Sequence, residues 1–155
     1  MRFFLRVGRR ALGNSPAEIQ ATLERALTPR DKDEGRLSVY AASSSAEAEL
    51  LAVLHAAHFQ DDKPANVDYI VIAEEGLPIP PDKSEQGVVP ELRAAHHEIP
   101  NLDDADYRSR LAAAIVHGNH IASYRTKKAD AVIVLNRRLE ADPTLAEHFS
   151  DAWRT

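Results

Sequence analysis

Val67-Asp68-Tyr69-Ile70-Val71-Ile72-Ala73 is the densest β-branched and aromatic run in the chain, and Glu74-Glu75-Gly76 follows it at once. A short apolar run that ends in a turn signal reads as a buried central strand. Two carboxylates leave its end, where α/β folds often place ligands.

Working outward from that strand, the preceding segment from Asp61 to Asn66 is a polar loop containing Pro64. Before it, Ser44 and Glu47 have the spacing of a capping box, so a helix runs from there to about Phe59, with Ala46, Leu50, Val53, Leu54 and Ala57 as its apolar stripe. Leu37 to Ala41 reads as a strand. Ser15-Pro16-Ala17-Glu18 is a second helix start, with a capping serine and proline at the first helical position, and Pro29 stops that helix. Phe3, Leu5 and Val7 alternate with Arg2, Phe4 and Arg6, the period of a strand covered on one side.

Downstream, Gly76 to Gln86 is a proline-rich loop. The next helix is expected over Glu91–Glu98, opened by Pro90 and closed by Pro100. Asp103 or Asp104 caps another, which places Tyr107, Leu111, Ala114 and Ile115 on one side and Gly118 just past its end. Asn119 to Arg125 reads as a strand. Lys127 to Ala141 reads as a helix closed by Asp142-Pro143, although Val132-Ile133-Val134-Leu135 is itself strand-like. A last helix over Thr144–Trp153 would dock Leu145, Phe149 and Trp153 on the body.

This order predicts one α/β layered domain over residues 1–155, with about four short strands alternating with helices. The connections are long enough for parallel crossovers; antiparallel pairing in an α+β ferredoxin-like sandwich is the alternative.

The chain has 155 residues and no cysteine, which excludes disulfides, thiolate metal sites and cysteine nucleophiles. No apolar run approaches the ~20 residues of a membrane span, and arginines interrupt the first apolar segment too early for a signal peptide. A cytoplasmic location is expected. Charge is segregated: residues 1–38 and 107–155 each carry +3, and residues 39–106 carry −11. The acidic middle third disfavours nucleic acid.

Seven histidines fall in four places: His55 and His58, His96 and His97, His117 and His120, and His148. His96-His97-Glu98 offers a general acid/base pair, and Glu74-Glu75 offers oxygen ligands for a hard cation or a general base. The candidate catalytic residues are therefore Glu74, Glu75, His97 and Glu98, and the candidate metal ligands are His96, His97 and Glu74. The sequence does not identify a cofactor. Phosphate-binding glycine motifs and the common hydrolase signatures are absent.

Two functions follow from this reading. The first is a small interaction or regulatory module that acts with a larger protein partner. The alternative is a metal-dependent hydrolase or nuclease. A homodimer is also expected, through the first strand, with Phe4 on its outer face between Arg2 and Arg6.

Overall fold

The computed structural model describes residues 2–8, 12–30, 33–59 and 63–154. Arg9-Arg10 of the first loop and the acidic Asp31 and Asp61-Asp62 of the later ones lie outside the described residues. In chain order the elements are β1 (Phe3–Val7), α1 (Pro16–Ala26), β2 (Leu37–Ala42), α2 (Ser45–Phe59), β3 (Val67–Ala73), β4 (Asp82–Lys83), α3 (Pro90–Ala95), β5 (His96–Ile99), α4 (Ala105–His117), β6 (Ile121–Thr126) and α5 (Lys128–Ala141).

Both capping boxes form. The Glu18 amide donates to Ser15 Oγ and the Glu47 amide to Ser44 Oγ, while each glutamate carboxylate reaches back to an amide just before its helix. The β-branched run from Val132 to Leu135 is helical. Ala131 and Leu135, four apart, are buried and Ile133 is exposed, so the segment follows the helical period.

The expectation of mixed helix and sheet holds, but among the described residues there are six strands rather than four. They form one sheet in the order β4-β5-β2-β1-β3-β6, antiparallel at every pairing. Antiparallel pairing belongs to the ferredoxin-like alternative, whose strand number is exceeded.

The additional strands come from the segment read as a proline-rich loop and a helix. That helix, α3, stops at Ala95, and His96–Ile99 pairs with Leu37–Tyr40 instead. The partner lies far away in sequence, so no local pattern announces the pairing. The last helix is also revised: Pro143–His148 and Asp151–Trp153 are 3₁₀ turns, which still bury Leu145, Phe149 and Trp153.

Alternate residues of the inner strands feed two apolar clusters. Leu5, Tyr40, Tyr69 and Val71 join α2, α3, α5 and the C-terminal turns. Phe4, Val39, Ile70 and Ile72 join α1 and α4. Period two places these clusters on opposite faces of the sheet. Helix α2 contacts β1, β2 and β3 on one side and α5 on the other, which explains why it is apolar nearly all round.

β1 is not the exposed contact strand expected for a homodimer. It is an inner strand paired on both sides, and Phe4 is fully buried. The flanking arginines misrepresent that face as solvent-facing: Arg2 lies over the Phe4 ring and reaches outward to Glu74. Among the described residues no helix is long and apolar enough to cross a membrane.

Candidate functional site

β3 ends in a 3₁₀ turn over Glu74–Gly76, which sends the two glutamates to different places. Glu74 is taken by Arg2: Nη2 donates to Oε1 at 2.9 Å and Nε to Oε2 at 3.3 Å. Glu75 stands at the rim of a cleft of about 280 Å³.

The floor of that cleft is the sheet surface of Phe3, Tyr69, Val71, Ala122 and Tyr124. The rings of Tyr69 and Tyr124, opposite each other on β3 and β6, stack with centroids 5.7 Å apart. One wall is the first turn of α2, with Ser44, Ser45 and Ala48. Asn119 and His120 complete the rim beside Glu75. Asn119 has φ 55°, a left-handed turn that carries the chain from α4 into β6. His120 sits against two glycines: a Cβ on Gly76 would lie 2.6 Å from His120 Cβ, and one on Gly118 would lie 2.5 Å from its Cδ2. Any side chain at either position would displace the histidine.

The Tyr69 phenol has its pKa raised, first by burial and then by the nearby Glu49 carboxylate, which also accepts from Thr126 Oγ1 at 2.9 Å. Two arginines of the neighbouring strands are held elsewhere. Arg2 is bound by Glu74, and Arg125 pairs with Asp68 at 2.7 Å on the other face of the sheet.

The histidine pair expected to join the glutamates is divided. His96 and His97 are neighbours on β5, so their rings leave opposite faces. His96 packs edge-on to Tyr40; its Nδ1 donates to the Ser84 carbonyl at 2.5 Å and its Nε2 accepts from Ser38 Oγ at 2.9 Å. His97 packs edge-on to Phe4 and donates from Nδ1 to the Ala95 carbonyl at 2.8 Å. Between Glu74 and His97 stand Arg2 and Phe4, and Glu98 faces Asp82 across β4 and β5. Of the other histidines, the His58 and His148 rings lie 6.3 Å apart, and His55 and His58 both pack on Phe59. His58 donates from Nδ1 to the His148 carbonyl at 2.7 Å, whereas His55 packs on Tyr40 and Phe59. Among the described residues no three acidic or histidine side chains converge as a metal site would require.

β6 is the last strand of the sheet, and its hydrogen-bond phase is set by its neighbours. The Ala73 amide donates to the His120 carbonyl at 2.8 Å, so Ala73 and His120 form a bonded pair. By the antiparallel alternation, Ala122, Tyr124 and Thr126 also turn their N–H and C=O groups toward β3. Gly8 and Asp68 on the other side of β3 show the complementary phase, with a bond of 2.9 Å. Ile121, Ser123 and Arg125 therefore present their backbone groups outward, and Ser123, Tyr124 and Arg125 are solvent-exposed. The other end of the sheet is the two-residue β4.

His120, Asn119 and the tyrosine pair are the parts of this site that the sequence reading did not assemble. The signals available were the Gly118-Asn119 turn and a tyrosine on each of two strands. Comparison with protein families, with curated proteins and with solved structures finds no match for this chain.

Proposed function

We propose that this protein is an interaction module that takes an extended segment of a larger partner protein onto the open edge of β6. The observation that carries the reading is the outward row of backbone groups at Ile121, Ser123 and Arg125 on a six-residue edge strand. Such an edge is a template for strand addition, in which main-chain bonds supply affinity and alternate side chains supply specificity. β6 carries no proline and no lysine, and its one charge, Arg125, is drawn back to Asp68 on β3. Tyr124, half exposed at 49 %, supplies an aromatic anchor beside the edge.

The alternative of metal-dependent hydrolysis through Glu74, Glu75, His96 and His97 draws less support. Glu74 is committed to Arg2, and the two imidazoles leave opposite faces of β5.

The test is a photo-crosslinking residue at position 123, introduced into the protein in its own cells. Discrete adducts heavier than the chain are expected from position 123 and none from Arg110, exposed on α4. A Tyr124→Pro change would break a bond to β3, whereas Ser123→Pro leaves the β3–β6 ladder whole and blocks the edge. Ser123→Pro, with the crosslinker moved to position 125, should abolish the adducts while the melting temperature stays close to wild type. Identical adducts from positions 123 and 110, none from either, or adducts that survive Ser123→Pro would contradict the proposal.

A further inference from the structure

The cleft between α2 and the β3–β6 surface shares Ile121 and Tyr124 with the edge strand but has its own chemistry. Its lining carries one carboxylate, Glu75, one imidazole, His120, and no lysine or arginine. Three aromatic rings, Phe3, Tyr69 and Tyr124, form its floor. Among the described residues Glu75 has no ion-pair partner, and Arg2 and Arg125 are bound to Glu74 and Asp68. Glu49 adds a second carboxylate behind Tyr69. An anion entering this cleft would meet a carboxylate at the rim and no lysine or arginine in the lining, where the His120 imidazole is the one basic group. A cation would meet a carboxylate and the negative faces of aromatic rings.

We propose that the cleft binds a small organic ammonium ion carried on an apolar body. The ammonium group sits between Glu75 and the aromatic floor, and the body lies on Val71, Ala122 and Tyr69. The volume of about 280 Å³ is near the lower end for small-molecule pockets and suits a compact ligand.

Three probes with one shared body test the assignment: 2-phenylethylamine, 2-phenylethanol and 3-phenylpropionate, titrated into the full chain and followed by amide chemical shifts. The amine is expected to bind about fivefold tighter than the alcohol, the gain of one exposed ion pair, with the carboxylate weakest. Its shifts should centre on Val71, Glu75, Ala122 and Tyr124. Glu75→Gln should reduce the amine to the affinity of the alcohol. Tyr124→Leu, which keeps apolar area but removes the ring face, should weaken the amine about threefold and spare the alcohol. Carboxylate binding equal to that of the amine would overturn the proposal, as would amine shifts outside the cleft or none up to ~10 mM, a concentration that reveals even very weak sites. Ser123→Pro, which blocks only the β6 edge, should leave amine binding unchanged.

Discussion

Phe4→Ala should destabilise the protein by about 3–5 kcal/mol, the range for deleting a fully buried aromatic ring. The ring is at the middle of the sheet. It is fully buried, edge-on to His97 at 5.4 Å between centroids, with the Arg2 guanidinium 5.0 Å above it. Removing it opens a cavity between strands held on both sides, where the backbone cannot collapse to fill the space. It also leaves Arg2 without the surface that holds it toward Glu74. In a thermal melt the change should lower Tm by roughly 10 °C. Phe59→Ala is the control: that ring is 61 % exposed and ends α2, so its loss should cost little more than about 0.5 kcal/mol. If Phe4→Ala melts with the wild type, β1 is not an inner strand.

The second large effect is a pH dependence set by His55. Its pKa is lowered from 6.5 to about 4, first by burial against Tyr40 and Phe59 and then by repulsion from Arg6 and His58. Below pH 6.5 the unfolded chain takes up a proton at this ring that the folded protein refuses, so unfolding gains free energy as pH falls. The stabilisation is complete above about pH 6.5 and is lost progressively down to about pH 4. The shift corresponds to about 2–3 kcal/mol after allowance for the partial exposure of the ring. Denaturant titrations at pH 7 and pH 4 should show that His55→Gln loses less stability between the two than wild type does, by about that amount. Equal losses in the two proteins would show that His55 is not held neutral.

Local signals in the sequence identify the elements that local physics determines. The two capping boxes mark the starts of α1 and α2, and both sets of hydrogen bonds form. The β-branched run at Val67–Ala73 is a strand to the residue, and Ile70, Val71 and Ile72 are all buried. β5 was not legible, because His96–Ile99 becomes a strand by pairing with Leu37–Tyr40 and carries no alternation of its own. The position of β1 was hidden by Arg2 and Arg6, whose chains lead their charges to Glu74 and to the Ser38 carbonyl from an inner strand. At the site, Glu75 could be named from its place after β3. His120 could not, because its seat depends on Gly76 and Gly118, which are distant in sequence and meet only in the fold.

Backbone amide exchange along β6 tests the central claim most directly. In dilute protein the Ser123 and Arg125 amides should exchange about tenfold or more faster than those of Ala122, Tyr124 and Thr126, because only the latter are bonded to β3. When the partner isolated through the position-123 crosslink is added, Ser123 and Arg125 should slow to the rate of their neighbours while the cleft residues keep theirs. Ser123 and Arg125 amides that are already slow in dilute protein, or that stay fast in the complex, would contradict the assignment of β6 as the open, partner-binding edge.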